Sequence, residues 1–386
     1  ADLSCLADLA RLPFTTAEEI CEDALPFLCV SQGEIHRVVT LDSSGTTGKP
    51  KRLYFTRDDQ ELTIDFFQVG MSAMVEAGDR VLILLPGERP GSVGDLLAIG
   101  LGRLGVLGIK HGPVRDAAQT LEVIAREGAN ALVGIPTQVL ALARYRDDHG
   151  RPAPLKLRSV LLTTDHVPGA IATAVEQAWG CEVYNHYGMT EMGLGGGVEC
   201  QAHRGYHLRE ADLYFEIVDP DTGQPLADGE EGEVVFTTLT RRGMPLIRYR
   251  TGDLSRFLPI RCPCGTALKT MEPIRDRIAG QVAVGEGLHL SMADLDDALF
   301  PIETVLDFSA AVTREGDRNC LHLDVQVAPG TRDAALEAIR RALDCVPVWR
   351  LAGHLDVRLD LQECNCRELR RPAKRVLLDR RDLGAI

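Results

Sequence analysis

Short apolar segments alternate with segments of helical pattern through the middle of this sequence, and this alternation limits most strongly the folds that it can adopt. Residues 81–85 have the length and composition of a buried strand, and residues 95–104 have the pattern of a helix. Alternation of this kind is typical of a parallel sheet with helices on its faces. It recurs downstream, where we expect strands at 131–134 and 159–163 and helices at 137–145 and 168–179.

Past Glu199 the pattern changes to alternating strands. Residues 213–218 and 232–239 flank the turn sequence Asp219-Pro220-Asp221-Thr222-Gly223, which suits a small antiparallel sheet or barrel. From residue 280 the sequence predicts helices at 293–300 and 334–343 and strands at 320–327 and 354–361.

The prediction is therefore an α/β protein with two domains. The large N-terminal domain, residues 1–279, has mostly parallel sheets flanked by helices plus a small antiparallel β subdomain. The C-terminal domain, residues 280–386, is a small, mobile α+β lid.

Composition excludes several function classes. The 386 residues are 45% hydrophobic, which is ordinary for a globular protein, and the net charge of −14 argues against general binding to nucleic acid or anionic membranes. Apolar runs are too short to span a bilayer. Eleven cysteines, an odd number with no export signal before them, favour a reducing cytoplasm over a disulfide framework.

The densest concentration of anion-binding groups lies in one loop of hydroxyls and glycines that a lysine closes. Glycine lets backbone N–H groups approach an anion, hydroxyls donate further hydrogen bonds, and lysine adds a compact charge. No Gly-Lys-Ser/Thr ends the loop, so it is not a Walker A motif. The alternative is an ordinary polar surface loop. The residues predicted to hold nucleotide phosphates are Ser43, Ser44, Gly45, Thr46, Thr47, Gly48 and Lys51.

A second motif runs from Tyr184 to Glu191 after a short β-run, at the strand edge where ligands of open α/β sheets gather. Tyr187 offers a ring for stacking adenine, with Gly188 beside it. Thr190 can donate to the α-phosphate, and Glu191 can hold Mg²⁺, which prefers oxygen ligands. The alternative for this motif is a plain strand-to-loop turn.

These motifs and the string Tyr249-Arg250-Thr251-Gly252-Asp253 resemble those of the acyl-adenylate-forming enzymes. The likeness is greatest to the branch of the phenylacetate-CoA ligases and coenzyme F390 synthetases, and it extends from Leu6 to about Gly280. It implies activation of a small carboxylic acid, expected to be aromatic, by ATP. The acyl-adenylate would pass to coenzyme A, with an amine or hydroxyl acceptor as the alternative.

The resemblance also implies roles for single residues. Asp253 would accept hydrogen bonds from the ribose hydroxyls, and Thr164 and Asp165 would lie beside adenine, where relatives often carry Gly-Glu. Arg277 would bind nucleotide at the start of the hinge sequence. The acyl pocket would be lined partly by Tyr184 and His186.

A set of cysteines and histidines predicts a structural zinc site. Thiolates and imidazoles are the ligands of closed tetrahedral zinc, and relatives in this branch carry a similar set. His203 is an alternative to His207 as the fourth ligand. The predicted ligands are Cys200, His207, Cys262 and Cys264.

The C-terminal sequence departs from the family pattern. Family members carry a lysine on the small domain that meets the α-phosphate, and the ungapped alignment puts Pro372 at that position. Lys374 is the only lysine beyond Lys269 and is therefore the candidate catalytic replacement. Gln281 also replaces the usual hinge arginine. These departures keep a second hypothesis open, a non-catalytic nucleotide-binding protein, and the sequence does not decide between a monomer and a homodimer.

Overall fold

The computed structural model describes residues 3–41, 50–146, 155–285, 287–316, 318–346, 355–366, 369 and 375–381. The helices are α1 (Ala17–Glu22), α2 (Arg57–Met71), α3 (Val93–Arg103), α4 (Ala117–Glu127), α5 (Pro136–Arg144), α6 (Gly169–Trp179), α7 (Met292–Leu299) and α8 (Arg332–Leu343).

Strands alternate with these helices and confirm the α/β class. They are β1 (Ile35–Leu41), β2 (Lys51–Thr56), β3 (Arg80–Ile83), β4 (Leu107–Lys110), β5 (Ala131–Gly134), β6 (Ser159–Leu162), β7 (Glu182–Tyr187), β8 (Gly197–Val198), β9 (Tyr206–Leu208), β10 (Leu213–Val218), β11 (Gly232–Thr238), β12 (Tyr249–Ser255), β13 (Thr270–Met271), β14 (Val282–Gly285), β15 (Leu288–Leu290), β16 (Val305–Glu315), β17 (Arg318–Val327), β18 (Leu355–Glu363) and β19 (Leu377–Asp379).

The chain divides into two units. Unit one consists of Ala1–Gly112 and Tyr184–Ile274, and unit two consists of Pro113–Val183 and Arg275–Ile386. The domain boundary near residue 280 stays a prediction. Among the helices of the described ranges, none has both the length and the apolar character that a membrane span needs.

Unit one is built from antiparallel and parallel strand pairs. β1 and β2 form an antiparallel pair that brings Leu41 opposite Lys51, and β3 pairs with β4 in parallel. β8 pairs antiparallel with the end of β7 and with β9, and β9 pairs with β13. β10, β11 and β12 form the small antiparallel sheet that the sequence predicted.

Helix starts in unit one follow capping sequences. Thr16 caps α1, because its hydroxyl accepts from the N–H of Glu19 at 3.3 Å while the Glu19 carboxylate accepts from the N–H of Thr16 at 2.8 Å. Thr56 and Asp59 make the same reciprocal pair at the start of α2, at 3.1 and 2.8 Å. Each pair satisfies two backbone donors that a helix start leaves open.

A buried ion pair joins the small sheet to the N-terminal segment. Arg248 pairs with Glu216 at 3.1 Å, and the two side chains are 3% and 4% exposed. The Arg248 guanidinium also donates to the carbonyls of Ala10 and Leu12, each at 2.9 Å, and its carbon lies 4.0 Å from the centre of the Phe14 ring. The charge of Arg248 is therefore met on every side by groups distant in sequence.

Unit two contains parallel strands and a second mixed sheet. β5 and β6 pair in parallel, and each is buried along its full length, as the continuous apolar runs of such strands require. β14 and β15 form a short antiparallel pair. The four-stranded sheet has the order β18-β17-β16-β19, with antiparallel pairing of β16 and β17 and parallel pairing of both outer strands.

His186 on β7 packs in apolar surroundings. Its ring centre lies 5.9 Å from that of Phe66 and 6.4 Å from that of Phe67, both on α2. Burial lowers the pKa of His186 to about 4, so the imidazole is neutral in the folded protein at neutral pH.

We expect Glu216→Gln to lower the free energy of unfolding by about 3 kcal/mol or more, because it leaves the buried Arg248 charge without its counterion. Urea denaturation measures the change. The control is Asp58→Asn, which removes an ion pair to Arg242 whose side chains are 67% and 70% exposed. Exposed pairs contribute about 1 kcal/mol or less. Equal losses in the two variants would contradict the role of the buried pair.

We also expect His186 to make stability fall in acid. An unfolded histidine takes up its proton near pH 6.5, whereas folded His186 does so near pH 4. The folded state therefore binds fewer protons between these values, and stability decreases as the pH drops through that window by up to about 1.4 kcal/mol per pH unit. His186→Gln should flatten this slope in urea titrations between pH 7.5 and 4, and the exposed His289→Gln is the control. An unchanged slope in His186→Gln would refute the assignment.

Candidate functional site

Three segments of unit one meet at a buried pair of opposite charges. Lys51 is the first residue of β2, Glu191 lies in the 3₁₀ turn Thr190–Met192 after β7, and Tyr249 begins β12. The ammonium of Lys51 forms an ion pair with the Glu191 carboxylate, and their side chains are 15% and 5% exposed. The Tyr249 hydroxyl accepts from Lys51 Nζ at 3.2 Å and donates to Glu191 Oε1 at 3.2 Å.

The surroundings of Lys51, Glu191 and Tyr249, which we call the triad, keep the Tyr249 hydroxyl protonated. Burial and the Glu191 carboxylate raise the pKa of Tyr249, so the phenol remains a hydrogen-bond donor. Arg241 donates to the main-chain carbonyl of Glu191 at 2.5 Å, and burial lowers the pKa of Arg241 to about 10. The turn that carries Glu191 is therefore fixed through both its main chain and its side chain.

The turn itself requires glycine. A Cβ on Gly188 would lie 2.6 Å from the carbonyl oxygen of Leu194 and 2.9 Å from the Cα of Gly195, closer than such atoms approach in proteins. Gly193 ends the 3₁₀ turn with a φ of +73°, a left-handed conformation that glycine adopts without a steric clash because it has no Cβ. The predicted residues Gly188 and Thr190 thus lie in a tightly folded segment that presents Glu191.

Asp253 and Tyr187 lie together elsewhere in unit one. The Tyr187 hydroxyl donates to Asp253 Oδ2 at 2.8 Å, and Asp253 is fully buried on β12. The Tyr187 ring stacks on Tyr206 with centres 5.7 Å apart and planes 26° apart. Two residues that the sequence predicted for adenine and ribose are therefore in direct contact.

Tyr184 and His186 lie on β7. The Tyr184 ring is 1% exposed, with its centre 4.8 Å from that of His203, while His186 packs on the two phenylalanines of α2. As neighbours two apart on a strand, they point to the same face of the sheet.

Thr164, Asp165 and Arg277 belong to unit two. Thr164 has a φ of +74°, and Asp165 follows it after β6. The Asp165 carboxylate accepts from the main-chain N–H of Arg375 at 3.3 Å, and burial raises the pKa of Asp165. Arg277 precedes the short turn Ile278–Gly280. Their proposed contacts with nucleotide stay predictions.

Two groups of predicted residues lie outside the described residues: the hydroxyl loop Ser43–Gly48, and Lys374 with Pro372. The loop belongs to the stretch through which the chain joins β1 to β2, and Lys51, its closing lysine, is described. Arg375 is described as well. Its guanidinium pairs with Asp296 and Asp307, each at 2.6 Å.

Four predicted zinc ligands come together in unit one. The ligand atoms of Cys200, His207, Cys262 and Cys264 all lie within 4.8 Å of one another. The sulfurs of Cys200 and Cys262 are 3.6 Å apart, and Cys264 Sγ lies 3.5 Å from His207 Nε2. Three thiols and one imidazole form a donor set that fits tetrahedral zinc.

The pairing of β9 with β13 decides which histidine joins this cluster. It places His207 opposite Thr270, whose hydroxyl lies 3.5 Å from His207 Nδ1 and leaves Nε2 for the cysteines. His203 instead lies 3.6 Å from a Glu199 carboxylate oxygen and packs on Tyr184. Burial lowers the pKa of His207, which favours the neutral imidazole that binds metal.

Sequence reasoning missed residues that support the predicted ones. Tyr249 appeared in the sequence only as the first residue of the Tyr249–Asp253 string, and nothing in its spacing indicated that it bridges Lys51 and Glu191. Arg241 sits in a loop between strands without any motif. Phe66 and Phe67 could have been found, because α2 has an amphipathic pattern whose apolar face must pack on a strand.

Comparisons with known proteins agree with these motifs. Residues 38–239 match the family described as "AMP-binding enzyme". Phenylacetate-coenzyme A ligase of Thermus thermophilus is 33% identical over 86% of this chain and 76% of its own length. The phenylacetate-coenzyme A ligase of Escherichia coli is 29% identical over 95% of this chain and 83% of its own length.

Solved structures share the fold. A 2-hydroxyisobutyryl-CoA ligase in the postadenylation state, in complex with 2-HIB-AMP, superposes with a TM-score of 0.82 at 23% identity and covers 98% of this chain and 82% of its own. An anthranilate CoA ligase in complex with anthranoyl-AMP gives a TM-score of 0.63 at 18% identity, over 86% of this chain and 64% of its own. From the family match and the identity to the Thermus ligase, this chain belongs to the AMP-binding enzyme family.

Proposed function

We propose that the protein is an AMP-forming acid–CoA ligase, which activates a carboxylic acid with ATP and transfers the acyl group to coenzyme A. The observation that carries the proposal is the contact between Lys51 and Glu191. These residues come from two motifs far apart in sequence, one suited to phosphates and the other to Mg²⁺. Their contact supports a single nucleotide site. The phenylacetate ligases among the relatives support the same activity.

In the first step, an oxygen of the substrate carboxylate attacks the α-phosphorus of ATP. The new oxygen–phosphorus bond forms as the bond to the β-phosphate bridging oxygen breaks, and pyrophosphate leaves. Negative charge accumulates around the α-phosphate, so fixed positive groups aimed there accelerate the step. Lys51, released from Glu191, and Thr190 are the groups of unit one proposed for this purpose, and Asp253 with Tyr187 would hold ribose and adenine.

Glu191 fits a magnesium ligand. Mg²⁺ prefers oxygen ligands, and the buried Glu191 carboxylate already binds a cation, the ammonium of Lys51. Bound Mg²⁺ would neutralise phosphate charge during displacement of pyrophosphate. The protein's own contribution is to fix the orientation of the carboxylate, through Tyr249 and Arg241.

In the second step, the thiol of coenzyme A loses its proton to solvent and its sulfur forms a bond to the acyl carbon, while AMP leaves with the electrons of the broken carbon–oxygen bond. Coenzyme A is the proposed acceptor because both curated relatives described above are coenzyme A ligases. An amine acceptor would yield an amide instead, and product analysis distinguishes the two.

The proposed acid is aromatic and carries no second charge. His186, neutral at physiological pH, and the rings of Phe66 and Phe67 form an apolar wall beside the second motif. A second carboxylate or an ammonium placed against the rings of Phe66 and Phe67 would lose part of its hydration, which disfavours it there. A planar ring, in contrast, stacks favourably on aromatic side chains.

We propose in addition that Cys200, His207, Cys262 and Cys264 hold a structural zinc ion. Their ligand atoms converge, and a closed set of four leaves no position for substrate. Zinc would tie β9 to the Cys262–Cys264 segment and so brace the region around Tyr206, on which Tyr187 stacks.

The eleven cysteines are free thiols in the structure, which supports a reducing compartment, and we propose the cytoplasm.

The decisive experiment is ATP–pyrophosphate exchange with a panel of aryl and alkyl carboxylic acids. We expect exchange with uncharged aryl acids, and Lys374→Ala should lower it by about 100-fold to 1,000-fold, the usual cost of losing one preorganised electrostatic group. ATP binding measured by calorimetry should survive, because that interaction is made mainly in the transition state.

Lys156→Ala, which removes an exposed lysine, is the matched control and should exchange like the wild type. Equal exchange by Lys374→Ala would remove Lys374 from the mechanism. A wild type that binds ATP but exchanges with no acid would favour the non-catalytic nucleotide-binding protein, which Pro372 at the usual lysine position also suggests.

For zinc, we expect metal analysis of protein purified without chelators to find about one zinc per chain, as one closed four-ligand site requires. Cys200→Ser and His207→Ala should each lose the metal and lower the thermal midpoint.

The matched controls are Cys21→Ser, another half-buried cysteine, and His203→Ala. Both should keep the metal. Zinc-free protein with an unchanged thermal midpoint would overturn the proposal. If only His203→Ala lost the metal, His203 and not His207 would be the fourth ligand.

A further inference from the structure

We propose that Tyr249 is a positioning residue of the nucleotide site, whose hydroxyl orients Glu191 toward Mg²⁺ and keeps Lys51 ready to exchange that carboxylate for ATP phosphates. The inference rests on the proposed function, since it takes Glu191 as the residue that meets the metal. It concerns a side chain that makes no contact with the reacting atoms in the proposed mechanism.

The geometry distinguishes Tyr249 from an ordinary core tyrosine. Its hydroxyl is within hydrogen-bond distance of both members of the ion pair, 3.2 Å from Lys51 Nζ and 3.2 Å from Glu191 Oε1. A phenol can accept one hydrogen bond while it donates another, so a single oxygen serves the cation and the anion together. A phenylalanine at this position would fill the same space but would serve neither.

The ring is fixed independently of the hydroxyl. Tyr249 is 3% exposed, and its ring centre lies 5.3 Å from that of Phe236. Its main chain bridges to Thr15 and pairs with Phe236 across β11 and β12. Because sheet and packing hold the ring, the hydroxyl is a rigid reference point for two flexible side chains.

The charge balance explains what this reference point does. With Lys51 on Glu191, the two opposite charges are paired, so neither is left without a counterion in this buried environment. Glu191 would hold Mg²⁺ when ATP binds, and the Lys51 ammonium would then be free to meet the phosphates. The Tyr249 hydroxyl would remain on Glu191 Oε1, so the carboxylate would keep the orientation that it has in the ion pair.

The test is the factor by which Mg²⁺ strengthens ATP binding. Calorimetry gives the Kd of ATP with Mg²⁺ and with EDTA, and the ratio of the two is the Mg²⁺ factor. We expect Tyr249→Phe to reduce this factor by about tenfold or more, the lower range for a hydrogen bond to a charged group. The Kd in EDTA should change much less.

A merely structural role would weaken both Kd values alike and leave the factor unchanged, which would overturn the proposal. Tyr214→Phe on β10, a tyrosine away from the triad, is the matched control and should leave both Kd values at wild-type levels. Thermal unfolding confirms that each variant folds.

A double substitution sharpens the test. Glu191→Gln removes the proposed metal ligand and should bring the Mg²⁺ factor close to one. Adding Tyr249→Phe to Glu191→Gln should then reduce the factor no further, because the hydroxyl acts through that carboxylate. Independent, additive losses would show that Tyr249 acts on something else and would overturn the inference.

Failure of the inference and failure of the proposed function give different results. A wild-type Mg²⁺ factor near one overturns the inference even when pyrophosphate exchange is present. Absence of exchange with every acid overturns the ligase proposal, whereas a reduced factor in Tyr249→Phe would still support the positioning role in a nucleotide-binding protein.

Discussion

The contact of Lys51 with Glu191 is the interaction on which the arrangement of unit one's candidate site depends. It joins the strand after the hydroxyl loop to the turn after β7, and Tyr249 extends the link to β12. Each partner comes from a different part of the sequence. A shift of β2 or β12 by one residue would turn Lys51 or Tyr249 to the other face of its sheet and break the link.

Near this link, two tyrosines pack their rings against aromatic neighbours while their hydroxyls bind buried charged side chains. Tyr187 stacks on Tyr206 while its hydroxyl holds Asp253, and Tyr249 packs near Phe236 while its hydroxyl holds the ion pair. In both cases the ring provides a large, rigid apolar body and the hydroxyl reaches a buried charge. Core packing therefore also orients the charged residues of the site.

The sequence predicted the α/β class and many elements because their signals are local. The apolar run at 131–134 matches β5, and the run at 213–218 matches β10. The antiparallel pair of β1 and β2 was missed: β1 has no fully buried residue, and the buried Leu53 and Phe55 of β2 lie within a short polar segment. His207 was the sequence's choice over His203, and the ligand atoms do converge on His207, but the register between β9 and β13 that positions its ring is a long-range property with no local signal.

The same limit applied to Tyr249, and its physical cause is general. Lys51 and Glu191 were predicted as site residues because their residue types fit phosphate and metal chemistry within short motifs. A residue that only positions them has no such sequence signature. It can be identified only from the structure, which shows which residues lie next to each other in space. A buried ion pair contributes little net stability once desolvation is counted, which fits the proposed exchange of Lys51 with a ligand. Lysine suits that exchange because its flexible stem and compact charge can leave one anion for another. Tyrosine at 249 suits it because a hydroxyl can stay bound to Glu191 when the ammonium leaves, and no apolar ring could do that.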